Sequence, residues 1–442
     1  MAPMFALAVL LYSAAAGFFA NSFLLIRQQS LCLWLLIPAF LLLNLFAGTH
    51  MVKSRSRRLR ICSHGTVLLL TFCVSVVVSV GYQLWLAFRL LPEDPMGFVW
   101  SLAVCFLVNL LLFWNGILCV YLTSTQLGFK LRIAGILCGM IPAVNVIVLI
   151  FILKTTWAEC LFEAGKEQLD RQRSPQQLCA TRYPIVLVHG VFFRDSKYFN
   201  YWGRIPATLE ANGARIFYGN QASAASVADS ALQLKARILD ILAQTGAEKV
   251  NLIAHSKGGL DCRYAIAHLG IEDKVASLTT VNTPHRGCLF ADYLLEHIPA
   301  RVKDKVAAAY DSTLRKFGEA NADFLAAVSD LTDSSCRQRN EEMPLPQGIL
   351  CQSIGSVMPR AAGGTFPLNY SYHLVRLFDG ENDGLVSERS FQWGQRYILL
   401  RPVGKRGISH GDMIDLNREN IRGFDVREFY VGLVNGLKKE GL

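Results

Sequence analysis

The chain predicts an α/β domain, a mostly parallel sheet with helices on both faces, preceded by an all-α transmembrane region. Three observations lead there. Five apolar stretches of bilayer length fill residues 1–154. Beyond residue 183, short apolar runs alternate with helical periodicity. One such run enters a tight turn of small residues around a serine and continues at once into a helical pattern.

The membrane region comes first in the chain. Met4–Ile26, Leu31–Gly48, Thr66–Phe88, Phe98–Leu122 and Ile133–Leu153 contain no Asp, Glu, Lys or Arg, and each approaches the ~20 apolar residues a bilayer requires. No basic residue precedes the apolar core of the first, which therefore reads as a span and not as a cleaved signal. Residues 1–154 hold 12 of the 78 charged residues, ten of them Lys or Arg. Almost all of the formal +10 belongs to this part. It describes no nucleic-acid face, since no stacked aromatics alternate with the basic residues.

The basic residues instead set orientation. Lys53, Arg55, Arg57, Arg58 and Arg60 lie between spans two and three, and Lys130 and Arg132 between four and five. The connection after span three carries Arg89, Glu93 and Asp94. The positive-inside rule puts the N-terminus and both basic loops in the cytoplasm. Five full crossings of the cell membrane would leave everything after residue 154 outside. The fifth span carries Pro142 and Asn145, and if it is re-entrant the following domain is cytoplasmic. Asn109 and Asn115 in span four read as interhelical hydrogen bonds.

Residues 155–182 read as a polar linker, and residues 183–442 suit one domain. Strands are expected at 184–188, 215–218, 249–253, 275–281, 349–354 and 396–400. Helices are expected at 227–242, 260–269 and 424–437. Between Leu289 and Ser335 the pattern is helical, with Ile298, Val302, Val306, Tyr310, Leu314 and Phe317 at three- and four-residue spacing. Such a stripe is either a packing face or the apolar face of a lid. No internal repeat is visible.

The serine turn carries the chemistry. Lys249–Ile253 runs into Ala254-His255-Ser256-Lys257-Gly258 and a helical pattern follows. A strand that turns this tightly strains the serine and exposes its hydroxyl, and larger flanking residues would collide, as in the nucleophile elbow of α/β-hydrolases. Such folds place an acid and then a histidine downstream. Asp383 in a Gly-punctuated turn and His410 in Ser409-His410-Gly411 satisfy that order. Asp379 is the rival acid, and His373 reads as ordinary packing. His410 would take the proton of Ser256, and Asp383 would hold the imidazole. The apolar run Pro184–Val188 ends in His189-Gly190-Val191-Phe192-Phe193. The backbone N–H groups of Val191 and Lys257 are the candidate oxyanion donors. Neither role uses a side chain, so Lys257 needs no chemistry of its own, and His189 reads as a loop residue with local hydrogen bonds.

Ala247–Leu252 through Gly259-Leu260-Asp261-Cys262-Arg263-Tyr264, then Val275–Gly287, resembles the bacterial triacylglycerol lipases. Tyr201-Trp202-Gly203 and Ala211-Asn212-Gly213-Ala214 extend the likeness. It is good over about residues 183–290 and resumes at Asn382–Val386 and Ser409–Asp412. The resemblance implies the triad Ser256, Asp383 and His410, with lipid esters as substrates at a lipid–water interface. It also implies a structural calcium beside the histidine, with Asp412 as one ligand. The other reading of Asp412 is an acid at a helix N-terminus. No further cofactor is expected.

Six of the twelve cysteines lie in or beside spans. The other six show no C-x-x-C spacing, so zinc and thioredoxin chemistry are not expected. Cys336 and Cys351 could pair on an oxidising face. The function these features imply is a membrane-anchored serine hydrolase of acyl esters, lipase- or carboxylesterase-like. A phospholipase or acyltransferase would use the same triad. A transporter or sensor would keep the second domain only to bind ligand.

Overall fold

The computed structural model describes residues 2–28, 31–191, 200–316, 323–365, 367–402 and 404–442. The chain divides into two compact units, Met1–Leu169 and Asp170–Leu442.

The first unit is helical: α1 (Ala2–Ala20), α2 (Phe23–Gln28), α3 (Leu31–Phe46), α4 (Arg57–Leu90), α5 (Pro95–Thr123), α6 (Gly128–Cys138) and α7 (Val144–Arg173). The first expected span is broken after Ala20. There the Asn21 amide donates to the Gly17 carbonyl (2.7 Å) and the Ser22 hydroxyl to Phe19 (2.9 Å), so side chains compete with the helix ladder. Helix α3 covers span two as far as Phe46, and spans three and four lie within α4 and α5. The side chain of Ser56 caps α4, which starts nine residues before the expected Thr66.

Two expectations need correcting. The fifth stretch, 133–153, is not one helix: α6 ends at Cys138, and a turn with Pro142 and with Ala143 at φ 64° precedes α7. Residues 155–173 of the expected linker are helical, because polar residues there have partners inside the fold. Glu159 is only 1% exposed, and Glu167 accepts from Ser54 Oγ (2.6 Å) and Arg55 N (3.0 Å). Asn115 reaches the Asn44 carbonyl on α3 (2.7 Å) as expected, whereas Asn109 bonds back along its own helix, to Cys105.

Among the described residues, three helices are long and apolar enough to cross a membrane, Arg57–Leu90, Pro95–Thr123 and Val144–Gln176. Large apolar side chains such as Val77, Phe88, Phe106 and Leu122 project from α4 and α5. In water such a surface is costly, and in lipid it is not.

The second unit carries β1 (Ile185–Val188), α8 (Ile205–Ala211), β2 (Ile216–Tyr218), α9 (Val227–Thr245), β3 (Val250–His255), α10 (Lys257–His268) and β4 (Val275–Val281). Then come α11 (Leu289–His297), α12 (Ala300–Lys316), α13 (Phe324–Ser329), α14 (Asp333–Glu342), β5 (Leu350–Ser356), α15 (Leu368–Asp379), α16 (Glu388–Phe391), β6 (Arg396–Leu400) and α17 (Val426–Lys439). All six expected strands form one parallel sheet in the order β2-β1-β3-β4-β5-β6.

Alternation along β1 explains its unbroken apolar run. Ile185 and Leu187 face a core with Trp202, Ile205 and Leu209 near α8 and with Tyr430, Val431 and Val434 of α17. Val186 and Val188 face the opposite core, with Leu234, Ile238 and Ile241 of α9 and Cys262 and Ala265 of α10. Strand β1 has β2 on one side and β3 on the other, so the order reverses there, the position at which open α/β sheets place their sites, at the C-terminal ends of the strands.

The 289–335 insertion is helical, as expected. Cys288 and Ala291 pack with Val386 and Phe391, which sets the start of α11 beside the turn that carries Asp383. Val302 on α12 is 50% exposed and Ile298 partly buried. The side chains at 306, 310 and 314, and residue Phe317, lie outside the described residues. Cys336 and Cys351 are separate free thiols, both buried.

Candidate active site

Ser256 joins β3 to α10 at φ 56°, ψ −132°, a conformation that non-glycine residues rarely adopt. The strain is held by hydrogen bonds on both sides. Ser256 N donates to Val281 O (2.9 Å), and Thr283 Oγ1 donates to Ser256 O (2.8 Å). The need for small neighbours is steric. A Cβ on Gly258 would lie 2.4 Å from the His189 carbonyl oxygen, and one on Gly190 would lie 2.7 Å from Ser256 Cβ.

The structure brings Asp383 and His410 together. His410 Nδ1 lies 2.6 Å from Asp383 Oδ2, and His410 N donates to the Asp383 carbonyl (2.9 Å). Asp383 is fully buried. Its Oδ1 accepts from the backbone of Leu385 (2.9 Å) and Val386 (2.8 Å), and its Oδ2 also from Asn282 Nδ2 (2.6 Å). Three N–H donors and the His410 ring thus surround this carboxylate at hydrogen-bond distance. Asp379 has a different environment. It pairs with Arg389 and accepts from Phe290 N, and burial pushes its carboxyl above the usual range.

Two residues that sequence reasoning passed over link the site. Tyr201 Oη accepts from Gly190 N (3.1 Å) and lies 2.7 Å from His255 Nδ1. His255 Nε2 lies 3.1 Å from the His410 carbonyl, and the two rings are 4.4 Å apart. A carbonyl only accepts, so Nε2 carries the proton and Nδ1 accepts from the tyrosine hydroxyl. Burial, and then the neighbouring His410, hold the His255 imidazole well below its usual range, which keeps it neutral. The chain Gly190–Tyr201–His255–His410 thus ties the loop after β1 to the elbow and the histidine loop. The one signal for it was Tyr201 within the Tyr-Trp-Gly segment.

The remaining candidates fall as follows. Val191 is buried directly after Gly190; Phe192 and Phe193 lie outside the described residues. Lys257 is buried, with its Nζ donating to Asp261 (2.8 Å) and Ser230 (2.8 Å), a structural use of the side chain. Burial raises Asp261 to about 6 despite that lysine. His189 bonds its neighbour Gly190 O (2.9 Å), as a loop histidine would. His373 is exposed on α15 against the Tyr372 ring.

Calcium does not fit at Asp412. Both its oxygens face the Arg406 guanidinium at 3.0 Å, so a positive charge already stands where the metal would. Among the described residues, no group of three or more His, Cys, Asp or Glu could hold a metal ion. In this structure Asp412 is an ion-pair partner of Arg406.

Parallel order, switch point and strained serine elbow define an α/β hydrolase, and residues 183–336 match the family model for the alpha/beta hydrolase fold. The chain belongs to the triacylglycerol lipase family within that fold. It is 32% identical over 295 residues to a triacylglycerol lipase of Vibrio cholerae, covering 61% of this chain and 92% of that protein. It is 34% identical over 229 residues to a triacylglycerol lipase of Burkholderia plantarii. That match covers 47% of this chain and 63% of the relative, so the chain spans a little under two thirds of that protein's length. Among solved structures, a Bacillus licheniformis lipase in its mature form aligns at TM-score 0.44 and 22% identity, over 58% of this chain and 92% of that one.

Proposed function

We propose that this protein is a membrane-embedded serine hydrolase that cleaves acyl esters of lipids. The observation that carries the reading is the buried Asp383–His410 pair, whose histidine sits against His255 beside the strained Ser256. With Nδ1 engaged by Asp383, the other ring nitrogen of His410 is the base for the Ser256 hydroxyl. Ser256 Oγ attacks the ester carbonyl and its proton passes to His410. The backbone N–H groups of Lys257 and Val191 stabilise the oxyanion. His410 then protonates the departing alcohol, leaving an acyl-serine that water cleaves by the same route in reverse. A fluorophosphonate probe should label wild-type protein and not Ser256→Ala. Labelling of neither would leave a ligand-binding module. Phospholipid cleavage, or transfer to an added alcohol, would mark the phospholipase or acyltransferase version of the same chemistry.

The exposed Val302 supports a lid in α12. A lid helix must expose its apolar face on opening, at roughly 25 cal/mol per Å² in water, and lipid removes that cost. Activity on emulsified esters should therefore rise steeply above substrate solubility. Val302→Ser combined with Val306→Ser should raise turnover of soluble short-chain esters relative to long ones. A smooth hyperbolic response, unchanged in the double variant, would make α12 ordinary packing.

We further infer that the hydrolase unit begins on the side that carries the Lys53–Arg60 loop. Glu159 on α7 is bonded by Arg58 (2.6 Å), Ser124 Oγ (2.6 Å) and the backbone of Thr125 and Gln126. Residues 124–127, just before α6, and residue 159, well into α7, therefore lie on one side. Whatever depth α6 and α7 reach, they form a hairpin that enters and leaves on that side. By the positive-inside rule it is the cytoplasm. This is the re-entrant alternative and reverses the outside location expected from five full spans.

A further inference from the structure

We infer that Arg406 is a positioning residue for His410, an internal cation built into an all-oxygen cage where a divalent ion would otherwise organise the loop. The inference rests on the proposed role of His410 as the base. The guanidinium meets oxygens of four groups. Nη1 and Nη2 donate to the two oxygens of Asp412 (both 3.0 Å), Nε and Nη2 to those of Glu419 (3.2 and 2.7 Å), and Nη1 to the carbonyls of Gly407 (2.7 Å) and Gly363. Two carboxylates and two backbone carbonyls are the donor set of a hard cation such as calcium. Here the planar fork of an arginine satisfies them through bidentate pairs.

The cage reaches His410 through one turn. Asp412 Oδ2 accepts from Ser409 N (2.8 Å) and Ser409 Oγ (2.7 Å), and Asp412 N closes the turn on Ser409 O (3.0 Å). His410 lies inside this turn. Gly407 N also donates to Gly363 O (3.0 Å), which locks the strand of chain leading into it. Asp412 is 4% exposed, and burial raises its carboxyl while the arginine charge opposes the rise. Burial would lower the Arg406 guanidinium, and its hydrogen bonds and charge pairing with Glu419 and Asp412 raise it instead. The charge is therefore permanent, and the loop needs no metal to stay ordered.

The test uses the full chain in detergent micelles, read by melting temperature and by kcat and KM on a soluble ester. Wild-type melting and turnover should not change with excess EGTA or with added calcium. Arg406→Ala should lower the melting temperature and reduce kcat by roughly 10–100-fold at unchanged KM, the usual size of losing a group that orients an active-site residue. Calcium should restore part of both, because the vacated cage keeps its oxygens. A wild-type melting temperature that falls in EGTA overturns the inference, as does an Arg406→Ala variant that melts and turns over like wild type or gains nothing from calcium. Should Arg406→Ala not fold, Arg406→Lys decides: reduced kcat at unchanged KM supports the assignment, and wild-type kcat overturns it. If the wild type hydrolyses no ester, the proposed function fails while the melting arm still tests the cage.

Discussion

Ser256→Ala is expected to abolish ester hydrolysis while leaving the melting temperature near that of the wild type. Losing one member of a serine triad costs ~10⁴ to 10⁶ in turnover, because nucleophile, base and orienting acid act as one unit. His410→Ala should lose a comparable amount. Asp383→Asn should lose less, since the amide still fills the pocket but no longer stabilises the imidazolium. It also clashes chemically with its surroundings. Leu385 N, Val386 N and Asn282 Nδ2 all donate to this side chain, and an amide nitrogen can accept from none of them. Asp379→Asn is the control. Its carboxylate pairs with Arg389, not with His410, so the change should lower stability more than turnover. If Asp379→Asn costs more turnover than Asp383→Asn, the acid has been assigned to the wrong residue.

The second large effect is all-or-none and concerns sidedness. Single cysteines at Lys53, Glu93 and Gln176, each exposed, are to be treated with a membrane-impermeant maleimide before and after lysis of the cells. The native thiols beyond the spans are buried and should stay silent. Glu93→Cys should react on intact cells, and Lys53→Cys and Gln176→Cys only after lysis. Joint behaviour of Lys53→Cys and Gln176→Cys is what the proposed hairpin expects, whichever side is inside. Reaction of Gln176→Cys together with Glu93→Cys on intact cells would restore five full crossings and place the hydrolase unit outside.

Several features were legible in the chain alone because their signals are local. The strands announce themselves as short runs, wholly apolar in β1, and their alternation with amphipathic helices such as α9 and α17 admits little besides a parallel sheet. The elbow is readable because tight packing of backbone against backbone leaves no room for a side chain at Gly258, and composition records that. Chain order then selects Asp383 and His410, since the fold delivers its loops to one edge in a fixed sequence.

Other features were settled only by groups far apart in sequence. Asp379 and Asp383 sit in similar Gly-flanked turns, and only the approach of His410 across 27 residues separates them. The polar residues of 155–173 resemble a linker until Glu159 meets Arg58, 101 residues earlier. That one buried carboxylate is the contact on which the proposed hairpin of α6 and α7 rests. The Asp412 of a presumed calcium site reads the same with or without a metal, and the difference lies in where the side chain of Arg406 goes. Periodicity reports which face of an element avoids water. It carries no information on which buried charge finds which partner, because in a low-dielectric interior such charges are paired by groups that meet only once the chain has folded.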